Sequence, residues 1–219
     1  DEENYFFKYS AFGERLLAFY EEHPDFIIPD FRMNEMKEFI KRGLEDFSIS
    51  RETNRFGIPL PFDSEQVTYV WYDALFNYLT VCQEDEKKWW PADLHVIGKD
   101  IVRFHGIYWL AMLWSAGYEA PHQLLTTGYF TVDGQKMSKS VGNVIDPVEY
   151  CQTYSRDGLV LYLFTAFPIG EDGDFNQEQA ILTYNARLSN NLGNLLNRLI
   201  TLSLKIGGEI HERSGFVIA

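Results

Sequence analysis

The chain has 219 residues, enough for one large domain or two to three small ones. Hydrophobic residues make up 46% and charged residues 23%, a globular mix that excludes a disordered chain, and no run of 18 apolar residues is present to span a bilayer. The net charge of −13 argues against a chain-wide nucleic-acid surface, because phosphate contacts need Lys or Arg, so any RNA contact must rest on local basic positions.

The start, Asp1-Glu2-Glu3-Asn4, has no Met, no basic stretch and no apolar stretch, and is expected to open a fragment without a signal peptide. Positions 12–22 repeat apolar side chains at helical spacing (Phe12, Leu16, Phe19, Tyr20), with Ser10 as the expected N-cap and Pro24 beyond the stop. A second helix is expected over 33–42, closed by Gly43. Residues 47–50 alternate like a strand, and 56–61 read as a rigid loop. The next strand is expected over 67–71, with Asp73 capping a helix that runs to about Val81. A short buried strand over 94–98 leads directly into a helix over 100–114. Strand then helix, twice, predicts a parallel α/β sheet, whose ligands bind at the carboxyl ends of the strands. The places to look are therefore 71–78 and 98–109. A further strand is expected over 123–129, then a hairpin over 130–135 turning at Asp133-Gly134. A basic loop follows over 136–143, Pro147 opens a helix at its first position, and 177–206 is helical, the opening of an all-helical domain.

Cys82 and Cys151 lie far apart and in no metal-ligand spacing, so they are expected to be buried free thiols of a reducing, cytoplasmic compartment. The five histidines are scattered, with no His-x-x-x-His or Cys-x-x-Cys, and no zinc site is expected in this segment.

The loop Lys136-Met137-Ser138-Lys139-Ser140 sets two ammonium groups three residues apart. Ser138, Ser140, Gly142 and Asn143 add donors and backbone freedom. Mobile point charges of this kind suit a polyphosphate whose charge shifts during reaction. One well-placed donor to a developing anion is worth about 10²–10³ in rate. A solvated basic turn is the plain alternative. Nothing matches Gly-x-x-x-x-Gly-Lys-Ser/Thr, so a P-loop is not supported.

This pentapeptide is identical to the second signature motif of class I aminoacyl-tRNA synthetases. Further stretches resemble the methionyl-tRNA synthetases over almost the whole chain: Glu3-Asn4-Tyr5-Phe6-Phe7, Ile49-Ser50-Arg51, Tyr69-Val70-Trp71-Tyr72-Asp73-Ala74-Leu75, Gly98-Lys99-Asp100-Ile101, Phe104-His105 and Trp109. Read from the residues alone, Trp71, Ala74 and Tyr78 share one helical face, and Ile101, His105, Tyr108 and Met112 another. Two such aromatic faces suit a flexible thioether, although plain core packing would give the same stripes.

The resemblance implies an α/β fold. It consists of the second half of a Rossmann-like parallel sheet, a stem-contact segment with the lysine loop, and the start of an α-helical anticodon-binding bundle. The expected divisions are 1–66 (end of a connective insertion), 67–128 (catalytic half-domain), 129–176 (lysine loop and stem contact) and 177–219 (start of the helical domain). It implies methionine contacts from Trp71, Ala74, Leu75, Tyr78, Ile101 and His105. It implies ATP contacts from Gly98, Asp100, Lys136, Met137, Ser138 and Lys139, with Lys136 and Lys139 catalytic. Asn190, Asn194 and Arg198, one polar stripe, match positions that approach the anticodon; Asn and Arg can read unstacked base edges. ATP with Mg2+, methionine and tRNA(Met) are the implied substrates. Leu75 departs from the Pro that many members carry, which marks a subgroup. The family's His-x-Gly-His motif is not in this sequence, so the segment alone is expected not to activate methionine and to expose a hydrophobic sheet edge. Two alternatives stay open at this point: a class I synthetase for a branched amino acid or cysteine, and a non-catalytic tRNA-binding paralogue.

Overall fold

The computed structural model describes residues 2–53 and 56–206, so residue 1 and the last part of the expected 177–219 segment, 207–219, lie outside the described residues. The chain divides into two units, 1–129 with 169–171, and 130–168 with 172–219.

The first unit holds a three-stranded parallel sheet in the order β2 (Ile27–Ile28), β8 (Leu124–Thr127), β7 (His95–Gly98). Strand β7 pairs with β8 from His95↔Leu124 to Gly98↔Thr127. The connection between them is a helix that begins as a 3-10 turn at Lys99–Ile101, widens to a π turn at Phe104–Tyr108 and ends as α6 (Trp109–Ser115). This is a parallel pair joined by a helical crossover, as a parallel connection requires. Helices α1 (Gly13–Glu22) and α2 (Asp30–Lys41) pack on it through Leu16, Tyr20, Met33 and Ile40, all buried with Ile97, Ile107 and Leu124. Among the described residues β7 pairs only with β8, and its outward-facing Val96 is 62% exposed.

Strand β6 (Asp63–Thr68) lies elsewhere. It runs antiparallel between β4 (Ser50–Arg51) and β5 (Pro59–Leu60). The expected parallel strand over 67–71 is therefore corrected. Only Pro61 and Phe62 separate β5 from β6, a link that permits an antiparallel neighbour and no other. The strand also stops at Thr68: the Tyr69 carbonyl accepts from the N–H groups of Tyr72 (2.9 Å) and Asp73 (3.2 Å), so Val70–Ala74 is already helix α3 despite its strand-like residues. Asp73 sits within the helix and does not act as its N-cap, a place taken by Tyr69 with no side-chain cap bond. The helix is interrupted at Leu75 and Phe76, where the Asn77 side-chain amide donates to the Ala74 carbonyl, and resumes as α4 (Asn77–Thr80). Ser10 is not a cap either: Tyr9–Phe12 forms a 3-10 turn, and the Ser10 N–H donates to Asp46 (3.0 Å). Strand β1 (Phe6–Phe7) pairs with β3 (Phe47–Ser48), so the expected 47–50 strand splits between two partners. The remaining elements of this unit are a 3-10 turn at Gln83–Asp85 and α5 (Glu86–Trp89).

The second unit opens with the hairpin β9 (Phe130–Val132) and β10 (Gln135–Lys136), paired Gln135↔Val132 and Lys136↔Thr131. Asp133 (φ 51°) and Gly134 (φ 70°) supply the two positive φ angles that a tight two-residue turn demands. Strand β11 (Gly173–Asp174) runs parallel to β9. Asp146 caps α7 (Pro147–Tyr154), its carboxylate accepting from Val148 N–H at 2.7 Å, with Pro147 at the first position. Helices α8 (Arg156–Ala166) and α9 (Gln177–Tyr184) bury Tyr150, Leu159, Tyr162, Phe175 and Ala180 together. Helix α9 continues as a π-type stretch, Asn185–Gly193, into α10 (Asn194–Lys205). Cys82 is buried as expected, whereas Cys151 is only half-buried; both are free thiols. Among the described residues no helix is long and apolar enough to cross a membrane.

Candidate active site

In the first unit, α3–α4 and the 99–115 helix meet face to face. The Trp71 and Phe104 rings stack at 4.4 Å and 18°. One turn deeper, Tyr78 Oη lies 2.8 Å from His105 Nε2, and His105 Nδ1 lies 2.9 Å from the Ile101 carbonyl. A carbonyl can only accept, so Nδ1 carries the proton. His105 is 2% exposed, and burial pushes its imidazole below the usual range, so the ring is neutral at pH 7. Nε2 is then a bare acceptor, and the Tyr78 hydroxyl donates to it. Burial also raises the Tyr78 hydroxyl, which stays protonated. The result is an uncharged, hydrogen-bonded pair in an aromatic wall, suited to an apolar, polarisable side chain.

The π turn at Phe104–Tyr108 is what sets this register: the His105 ring claims the Ile101 carbonyl, and the Tyr20 hydroxyl donates to the Gly106 carbonyl at 2.5 Å. Such turns inside α-helices recur at functional sites. Ala74 and Ile101 are half-buried beside these groups in sequence. Leu75, expected with the methionine set, is 3% exposed and belongs to the core with Leu79, Trp90 and Trp109. At the carboxyl end of β7, Gly98 (φ −74°, ψ 152°) turns the chain into the helix, and a Cβ there would stand 2.9 Å from Asp100 Oδ1. Glycine is what lets the Asp100 carboxylate fold back over the strand end.

Sequence reasoning missed two neighbours. His95 is 5% exposed, meets the Tyr78 ring edge-on at 4.3 Å and is pushed down to about 4, chiefly by burial and then by His105. Its Nε2 has no hydrogen-bond partner, nor has the buried Trp109 Nε1. The alternation in β7, with His95 and Ile97 buried and Val96 exposed, is the signal that pointed His95 inward. Arg51 is the second: its guanidinium lies 4.1 Å over the Tyr69 ring, at a cleft it lines with Val70 and Asp73.

In the second unit the lysine loop leaves β10. Lys136 and Lys139 are exposed. Met137, expected among the ATP contacts, turns its side chain onto the core of Tyr150, Leu159 and Tyr162, so it anchors the loop. Ser138 Oγ and Ser140 Oγ lie 2.7 Å apart. From β11, Asp174 accepts from Gly134 N–H (2.8 Å) and from Thr131 Oγ1 (2.7 Å), bonds that hold its carboxyl below the usual carboxylate range and pin the hairpin. Asn190, Asn194 and Arg198 are all exposed, on either side of the junction between the π-type stretch and α10.

The family described as tRNA synthetases class I (M) matches residues 1–200. The methionine--tRNA ligase of Thermosynechococcus vestitus is 49% identical over 214 residues, covering 94% of this chain and 40% of the relative. That of Caldanaerobacter subterraneus is 50% identical over 207 residues, covering 92% and 32%. Among solved structures, Mycobacterium tuberculosis methionyl-tRNA synthetase in complex with methionyl-adenylate is 42% identical with a TM-score of 0.87, covering 99% of this chain and 44% of that one. The chain thus spans well under half the length of these relatives. A match that begins at residue 1 and runs on through both lysines and the Tyr78–His105 pair decides the family: the chain belongs to the class I tRNA synthetases, in their methionyl branch.

Proposed function

We propose that the protein of which this chain forms part is a methionine-tRNA ligase, an enzyme that activates methionine with ATP and transfers it to tRNA(Met). The methionine carboxylate attacks the α-phosphorus of ATP, the bond to the bridging oxygen breaks, and methionyl-adenylate and pyrophosphate form. No covalent nucleophile on the protein is needed; positioning and charge stabilisation suffice. The observation that carries this reading is the neutral Tyr78–His105 pair beside the stacked Trp71 and Phe104 rings. In the proposal Trp71, Ala74, Tyr78, Ile101 and His105 line the methionine side chain, and Leu75 supports them from the core. Gly98 and Asp100 serve the nucleotide end. Lys136 and Lys139, in the loop of the KMSKS type, stabilise the charge on the departing pyrophosphate, with Ser138 as a donor and Met137 as anchor. ATP arrives as its Mg2+ complex; among the described residues no group of three or more His, Cys, Asp or Glu is placed to hold a metal.

In this enzyme 1–66 form the end of an insertion, 67–128 the second half of the catalytic sheet, 129–176 the stem-contact segment, and 177–219 the start of the anticodon-binding bundle. Asn190, Asn194 and Arg198 then face the anticodon, and the enzyme works in the cytoplasm. The relatives, which are methionine--tRNA ligases, and the methionyl-adenylate bound to the M. tuberculosis protein support the choice of amino acid. The test is ATP–pyrophosphate exchange by the full-length protein against a panel of amino acids. Methionine-dependent exchange is expected. Exchange driven by valine, isoleucine, leucine or cysteine assigns another class I specificity, and tRNA binding without any exchange assigns a non-catalytic paralogue.

A further inference from the structure

Besides the Met137 anchor, the lysine loop is held by the carboxamide of Asn143, which the sequence offers only as one loop donor among several. Asn143 Oδ1 accepts from the Ser138 N–H at 2.8 Å, and Asn143 Nδ2 donates to the Lys136 carbonyl at 3.3 Å. Those two main-chain groups flank Met137. A single carboxamide therefore pairs with the backbone on both sides of Met137, as a neighbouring strand would, while the Met137 side chain packs on the core beneath. Beyond it the chain closes on itself: the Ser138 carbonyl accepts from Val141 N–H (3.2 Å) and Gly142 N–H (3.0 Å). Gly142 takes a φ of 76°, open to glycine at little cost, and that turn brings Asn143 back to residue 138. The closed turn carries Lys139, and Lys136 stands at its entry.

We propose that Asn143 is a positioning residue for the two lysines: its carboxamide fixes the main chain between Lys136 and Lys139, and so sets where their ammonium groups stand when pyrophosphate departs. This rests on the function proposed above. Ser138 and Asn143 are only half-buried, so loss of the clasp is expected to disturb the loop and leave the fold intact. A loop whose charges wander by about an ångström loses on the order of a hundredfold in rate.

The experiment uses the full-length protein with Asn143→Ala and Asn143→Gln, the second carrying the same carboxamide on a longer stem. In ATP–pyrophosphate exchange, Asn143→Ala is expected to lower kcat by about ten- to a hundredfold, with methionine KM and the thermal midpoint unchanged, and Asn143→Gln to recover part of the loss. An unchanged kcat overturns the proposal. So does a loss accompanied by a matching rise in methionine KM and a lower midpoint, which marks general damage. Should the wild-type protein show no methionine-dependent exchange, the functional reading fails, and limited trypsin digestion decides the clasp separately. Cleavage after Lys136 and Lys139 several-fold faster in Asn143→Ala supports it, and equal rates overturn it.

Discussion

Tyr78→Phe deletes one hydroxyl and nothing else, and the structure sets what that costs. His105 Nε2 loses its donor inside a site where the imidazole is 2% exposed, while Nδ1 stays on the Ile101 carbonyl. A buried acceptor left unpaired costs about 1–3 kcal/mol. With a urea slope of about 3 kcal/mol/M for a unit of this size, the midpoint falls by about 0.3–1 M. Tryptophan fluorescence reads the right unit, because Trp71, Trp89, Trp90, Trp109 and Trp114 all lie in the first one. The decisive measurement is the double-mutant cycle with His105→Phe. Each single change strands the other partner, and the double change strands neither, so the double is expected to cost less than the sum by about 0.5–3 kcal/mol. Additivity within about 0.3–0.5 kcal/mol would refute the pairing, and with it the argument that fixes the His105 tautomer.

Three further outcomes are expected. His95 is pushed down to about 4 by burial, below the ordinary imidazole value of about 6.5, so between those two pH values the unfolded chain binds a proton that the folded chain refuses. Its contribution to stability is therefore complete above about pH 6.5 and is lost as pH falls toward 4; His95→Phe should flatten the urea midpoint across that window, and an identical slope would contradict the assignment. Gly98→Ala sets a Cβ 2.9 Å from Asp100 Oδ1, a contact that the carboxylate relieves by shifting a few tenths of an ångström; the midpoint should hold while the KM for ATP in the full-length protein rises about tenfold. Lys139→Ala should lower exchange kcat by about 10²–10³ with methionine KM unchanged, and a change confined to KM would make the lysine a ground-state contact.

The fold was legible where local chemistry and tertiary demand agree. Pro147 announces a first helical turn, Asp133-Gly134 announces a tight hairpin, and both stand as read, while the Asp146 cap was not read from the sequence. Reading failed where the same residues serve two states. Val70 and Trp71 have strand preferences, yet the Tyr69 carbonyl starts a helix beneath them. Propensity of that kind is set by packing and hydrogen bonding more than by the backbone of the residue itself. The β6 error is of another sort: alternation tells which face of a strand is buried, and it does not say which neighbour the strand takes. The two-residue link at Pro61-Phe62 did carry that information, because it admits only an antiparallel partner.

The sequence placed Trp71, Tyr78 and His105 on helical faces, but it left His95, Arg51 and the contacts that hold these groups unread. Tyr78 and His105 stand 27 positions apart, and helical spacing finds only neighbours within one helix. Their pairing depends on the π turn at Phe104–Tyr108, which moves the His105 ring onto the Ile101 carbonyl, and a turn that admits one extra residue leaves no mark in periodicity. His95 shows the same limit from the other side. Its inward direction is written in the alternation of β7, but its contact with the Tyr78 edge depends on where α4 comes to rest. Asn143 is the sharpest case. In the sequence it is a polar residue after a glycine, equal to any loop donor. What distinguishes it is that the Gly142 turn returns it to the backbone flanking Met137, at a distance where one amide satisfies two groups at once. The resemblance picks out the candidate substrate groups; a group that holds the loop in place, such as Asn143, is picked out by closure of the chain, and closure is a property of coordinates.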